Sequence, residues 1–154
     1  LANILQQYAG GDKEMNLQPS EIRSNIIQHI SANYTETPVE YPPNPFKENK
    51  ITEWVSVHID MGEGYTVMKG QGTTTRHLGL IHFAVNVKRI QSDPRSLGTR
   101  RVYEIADAVL AAMERKRLNG SAVVTRAGRV DTSELTDKTG EISFALVTIP
   151  FFVT

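Results

Sequence analysis

The 154-residue chain carries 17 basic and 17 acidic side chains, 40% hydrophobic residues and no cysteine. Zero net charge excludes a whole-molecule field that would draw it to nucleic acid or an anionic membrane, and the lack of cysteine excludes disulfides, thiolate metal sites and thiol nucleophiles. The length suits a single hydrophobic core, and no apolar run reaches the roughly 18–20 residues of a membrane span, so the expectation is one soluble domain, neither membrane-inserted nor secreted.

Residues 1–19, with Gly10, Gly11 and the polar run Asp12-Lys13-Glu14, are predicted to be an N-terminal arm, and residues 20–154 a single domain. Ser20 reads as the N-cap of a first helix, Glu21 to Asn33, whose Ile22, Ile26, Ile27 and Ile30 repeat at helical spacing. Thr37 to Asn49 holds Pro38, Pro42, Pro43 and Pro45, which deny the donors and dihedrals of regular structure and predict an extended connection. From Glu53 to Met61, Val55, Val57, Ile59 and Met61 alternate with Ser56, His58 and Asp60, the period of a strand with one buried face. Gly62, Gly64, Gly70 and Gly72 then punctuate a stretch ending in Thr73-Thr74-Thr75, which predicts either a long mobile loop or an extended hairpin tip.

Leu78 to Val87 alternates again, through Ile81, Phe83, Val85 and Val87, and is predicted to run antiparallel to the first strand until Ser92-Asp93-Pro94. Val102, Ile105, Ala106, Val109, Leu110 and Met113 form the stripe of a one-sided amphipathic helix. Asn119-Gly120 reads as its left-handed cap, and Arg115-Lys116-Arg117 as helix-end charge complementing the dipole, not as a nucleic-acid patch. Ala122 to Val130, interrupted by Gly128, is a weaker strand, and Glu141 to Val153 a strong one. The fold class is therefore α+β, in the order α-β-β-α-β-β, with a four-stranded, mainly antiparallel sheet and two helices packed on one face. The second face, with Ser56, His58, His82 and Asn86, is left to water or a partner.

Charge is segregated although it cancels. Residues 76–130 hold eleven basic against four acidic side chains, while the segments before and after are net acidic. Such segregation suits head-to-tail contacts between copies, although solvated faces of one helix and two loops explain it as well.

Catalytic chemistry is sparse. No G-x-S-x-G or comparable nucleophile context occurs, and Gly62-Glu63-Gly64 and Gly70-Gln71-Gly72 lack the Gly-Lys-Ser/Thr ending of a phosphate loop. His58 and His82 fall on strands expected to pair, yet without a third ligand at fixed spacing they read as surface residues of a sheet. The expectation is no enzyme, no metal and no cofactor. Trp54, with Phe46 and Tyr41 nearby, is suited either to pinning the proline-rich connection or to anchoring a neighbouring subunit.

The order of elements, with Glu21-Ile22-Arg23 to Ile30, the Pro38–Phe46 connection, Trp54-Val55-Ser56-Val57, Thr75-Arg76-His77 through Val87, the helix Arg101 to Met113 and the strand Gly140 to Val153, resembles the tail terminator (tail completion) family of bacteriophages with long non-contractile tails, typified by the lambda-type terminator. The resemblance covers roughly residues 20–154. It implies a virion structural protein whose hexameric ring caps the tail tube at its head-proximal end and joins the head-side connector (stopper) protein. Viral DNA would be cargo in the lumen, no membrane would be involved, and assembly would take place in the host cytoplasm. A head-to-tail connector or other neck protein is the nearest alternative, and a small-molecule-binding module a more distant one. On this reading the partner interface draws on Gly64, Met68, Gly70, Gly72 and Arg76 of the glycine-rich segment, with Trp54, Phe46, Arg100 and Arg101.

Overall fold

The first helix, α1, runs from Pro19 to Asn33. Proline suits the opening position because its missing N–H would find no partner there in any case. The cap position falls on Gln18, without a side-chain cap hydrogen bond, so Ser20 lies inside the helix and is not the N-cap expected from sequence. Ile22, Ile26 and Ile30 are fully buried along one face, each contributing about 1.5–3 kcal/mol relative to exposure.

The computed structural model describes residues 17–42, 51–62, 64–69, 72–97, 99–131 and 141–153, and for 64–69 and 72–77 the backbone alone. The expected N-terminal arm, apart from its last three residues, therefore lies outside the described part. After α1 come β1 (Val39–Glu40), β2 (Glu53–Asp60), β3 (Gly64–Lys69), β4 (Gly72–Lys88), a single helical turn α2 (Pro94–Leu97), α3 (Arg100–Met113), a 3-10 turn (Leu118–Gly120), β5 (Val123–Thr125), β6 (Arg129–Asp131) and β7 (Ile142–Val153).

The sheet is larger than the four strands expected. β1, β2, β4 and β7 lie side by side, and both β5 and β6 pair with the far edge of β7. All these pairings are antiparallel except that of β1 with β2. β1 arises inside the proline-rich connection, where two residues between Pro38 and Pro42 find a parallel place beside Val55 and Ser56. The weak strand expected over 122–130 is two short ones. Between them Gly128 gives up its side-chain space to Leu110 of α3, whose Cδ2 would lie 2.4 Å from a Cβ there.

α1 and α3 share one face of the sheet. Val102, Ile105, Ala106, Val109 and Met113 of α3 join the isoleucines of α1 and the inward residues Val55, Val57, Ile81, Phe83, Val85, Ala145, Val147, Ile149 and Phe151 in one core. Two of the three described helices thus lie on one side of the sheet, but the extra helix α2 and the additional strands mean that the expected order α-β-β-α-β-β is matched only roughly. The C-terminus of α3 does not close at Asn119-Gly120: the helix ends at Met113, the Glu114 N–H reaches the Leu110 carbonyl at 2.9 Å, and Arg115 takes a left-handed conformation at φ 54°. Asn119 and Gly120, also left-handed, instead shape the 3-10 turn. His29 fastens that turn to α1. Its Nδ1 accepts the Asn119 N–H at 3.1 Å, so its Nε2 carries the proton donated to the Ala112 carbonyl at 3.0 Å.

Candidate interaction surface

No described helix packs on the second face of the sheet. The strand registers lay its residues in rows: Trp54, Asn86 and Phe144; Ser56, Ala84 and Leu146; His58, His82 and Thr148; Asp60, Leu80 and Pro150; Leu78, Phe152 and Val124. The polar residues named from sequence occupy the β2 and β4 positions near the middle. Along β7 the face is apolar apart from Thr148, through Phe144, Leu146, Pro150 and Phe152. Leu78 and Leu80 are 45% and 36% exposed, large values for leucine on a strand.

The glycine-rich segment resolves the choice left open by sequence. It is an extended hairpin: β3 pairs with the first part of β4 from Gly64 opposite His77 to Lys69 opposite Gly72. β4 therefore runs in one piece through two environments. From Leu78 onward it lies in the main sheet between β2 and β7, and from Gly72 to His77 it belongs to a two-stranded ribbon that continues past the sheet.

The joint between them is a β-bulge. Asp60 stands opposite Leu80 and Gly64 opposite His77, so the β2–β3 side carries one more residue than β4 between these pairs. Gly62 supplies the left-handed conformation the bulge needs, at φ 62°, and a Cβ there would lie 2.3 Å from the Leu78 carbonyl oxygen. Its N–H is held by Asp60 Oδ1 at 3.0 Å. Beside the joint, Asp60, Gly62, Leu78, Gly79, Leu80, Arg126, Pro150 and Phe151 line a mostly apolar groove of about 560 Å³. The Arg126 guanidinium stacks over the Phe152 ring at 5.0 Å, so the groove lining includes one cation as well as the Asp60 carboxylate.

The residues named from sequence divide into two groups. Gly64, Met68, Gly72 and Arg76 sit on the backbone of the hairpin, while Gly70 and Phe46 lie outside the described residues. Trp54 is at the opposite end of β2, about 20 Å from the joint at some 3.3 Å per residue, half-buried and with the Lys88 ammonium 6.0 Å from its ring. Trp54 and the hairpin do not form one patch.

Arg101 belongs with the Trp54 end and is occupied within the chain. Its guanidinium grips both oxygens of Glu53 at 2.9 Å, Glu36 at 3.0 Å and Glu104 at 3.3 Å, and its side chain is only 13% exposed. The Glu53 hydrogen bonds, more than any other contact, hold the guanidinium even more firmly protonated than usual. Hydrogen bonds from Arg101, then from Arg100 and Arg95, hold the Glu104 carboxyl below its ordinary range. Arg100, 89% exposed, forms an ion pair with Glu104 at 3.2 Å. Part of the charge segregation seen in the sequence is thus internal: Glu36 and Glu53 of the acidic first segment are satisfied by Arg101 of the basic middle one.

His58 and His82 are direct cross-strand partners, with ring centroids 6.2 Å apart and planes at 24°, and His82 Nδ1 lies 3.2 Å from Thr148 Oγ1. Among the described residues no group of three or more His, Asp or Glu side chains is placed to hold a metal ion. Sequence reasoning missed the apolar half of this face and the groove. The signal was present in Phe144, Leu146, Pro150 and Phe152, which alternate with the core residues of β7, but a strand apolar on both faces reads as one buried run.

No protein-family model and no curated protein matches the sequence. The fold itself recurs: 23 chains of solved structures match it. One, whose designation carries no statement of function, superposes with a TM-score of 0.63 over 90% of this chain and 97% of its own, at 12% identity. At that identity the likeness is one of architecture.

Proposed function

We propose that this chain is a virion structural subunit, a tail terminator that forms a ring, hexameric by resemblance, on the end of the tail tube, stops its polymerisation and joins it to the head-side connector. The observation that carries the reading is the long β3–β4 hairpin reaching past a fully packed α+β body. A rigid core with a protruding main-chain ribbon is built for contact with other subunits. The open sheet face adds apolar area beside it, through Leu78, Leu80 and Phe152. No catalytic or cofactor role enters the proposal, and DNA enters only as cargo through the ring.

Native mass spectrometry of the purified chain, with and without tail-tube protein, tests the reading. Six copies of the 17.1 kDa chain give a ring of about 103 kDa. A chain that stays monomeric with tube present overturns it. The head-to-tail connector, the nearest alternative, shares the same observation and is separated by partner: a ring that binds the connector but leaves tube polymerisation unchanged favours that reading instead.

A further inference from the structure

We infer that neighbouring copies join by main-chain pairing of their hairpins, the outer edge of β3 in one copy against the free edge of β4, residues 72–77, in the next. The inference rests on the ring reading for its head-to-tail closure, and on the following observations for the contact itself.

Among the described residues, the 72–77 part of β4 pairs only with β3, because β7 ends its pairing at Phe152 opposite Leu78. Among the same residues β3 pairs only with β4. Within this described part each hairpin therefore offers two edges without a strand partner, one per strand. An isolated two-stranded ribbon is marginal in water, and an open edge of this length invites pairing unless it is blunted.

Among the described residues the short strands β1, β5 and β6 show such blunting, while the β2 edge from Val57 to Asp60 lies beyond β1. The hairpin edges are longer than that stretch and are not blunted in these ways. β1 is two residues long between Pro38 and Pro42. The outer side of β5 is taken by the Arg117–Val124 bridge and by the Thr125 N–H on the Lys116 carbonyl at 2.8 Å. β6 is three residues long and carries Arg129 and Asp131. The hairpin edges are twice that length, contain no proline, and hold one charge each, Lys69 in β3 and Arg76 in residues 72–77. Threonine and valine, good strand formers, fill much of the remainder. An edge of β3 and an edge of β4 are different surfaces, so pairing one with the other is heterologous and propagates from copy to copy until rotation closes a ring.

The chain has no cysteine of its own, so introduced thiols report proximity without background. Single-cysteine chains with T66C, V67C or M68C are mixed with chains carrying T73C, T74C or T75C, under the conditions that assemble the ring, and oxidised mildly. Pairing is expected to convert at least one mixture from 17.1 kDa to twice that mass on non-reducing gels, while each variant alone stays at 17.1 kDa. Unchanged circular dichroism melts show that each variant is folded. A ring of full mass with no cross-link in any mixture overturns hairpin pairing and leaves the ring reading standing. Cross-links between like variants alone overturn the head-to-tail arrangement. No ring at all overturns both.

Discussion

The ring of Phe151 occupies the place where a side chain on Gly79 would be. The two residues are direct partners across the β4–β7 ladder, and a Cβ on Gly79 would meet the ring at 2.3 Å and the Asp60 carbonyl at 2.5 Å. The aromatic ring thereby fills the space that a glycine leaves in a strand, just where three strands meet the hairpin. Replacing Gly79 by Ala is expected to destabilise the fold by about 1–3 kcal/mol, the usual cost of overpacking. Urea unfolding should show a lower midpoint at unchanged slope. An unaltered midpoint would mean the ring can swing aside freely.

Gly62 fails on two grounds at once, conformation and space. At a position where only the left-handed conformation matters, Asn replaces Gly at little cost. Here the Leu78 carbonyl blocks any Cβ, so Gly62→Asn and Gly62→Ala should be similarly damaging. The damage should be confined to the hairpin joint. Amide hydrogen exchange is expected to accelerate at residues 64–69 and 72–77, with the β4–β7 ladder unchanged. Tolerance of Asn but not Ala would show that the carbonyl moves.

The Arg101 cluster predicts a contrast between adjacent arginines. Arg101→Ala leaves Glu36, Glu53 and Glu104 facing one another and removes several charge-assisted hydrogen bonds, at a cost of roughly 1.5–3 kcal/mol. Arg101→Lys should recover only part, because an ammonium cannot hold both oxygens of Glu53 while reaching the other two carboxylates. Arg100→Ala, at an exposed site, should change stability by less than about 0.5 kcal/mol. Thermal melts of the three variants decide it. Because the Glu104 carboxyl is held low, its share of stability is present above its unfolded value and fades as pH falls through the folded one.

Burial raises the Tyr34 hydroxyl above its ordinary value of 10.0, against an opposing hydrogen bond to Thr37 Oγ1 at 2.7 Å. A group whose folded value is raised contributes stability that is whole below the unfolded value and lost as pH climbs through the folded one. Unfolding free energy should therefore decline above about pH 10. Tyr34→Phe should cost about 1 kcal/mol at neutral pH through the lost hydrogen bond, yet show a shallower alkaline decline. Tyr41 is shifted in the same direction by burial, so the decline is reduced and not abolished. Equal slopes in wild type and variant would refute the assignment to Tyr34.

Much of the core was legible because burial there follows period. Val55 and Val57, Ile81 to Val87 and the α3 stripe face inward as their spacing requires, and the two-helix face follows from them. Legibility failed where backbone conformation, not side-chain pattern, decides. Arg115 closes α3 in a left-handed conformation usually given to glycine, and Asn119-Gly120 a few residues on carries the louder cap signal. β5 and β6 are too short to show a period, and β1 is hidden among prolines. Of the candidate interface, the hairpin was visible as a glycine-rich stretch but its pairing was not, and nothing in the spacing of Arg101 revealed that distant Glu36 and Glu53 converge on it.

The bulge at Gly62 also separates two inheritances. A strand alternates its faces with period two, so one added residue reverses the assignment of everything beyond it relative to what came before. Alternation that sorts β2 into core and open positions therefore says nothing about how β3 is sorted, and the two stretches are free to vary under different demands. Substitutions in the β3–β4 hairpin therefore need not follow the core-and-open pattern of the body that holds it.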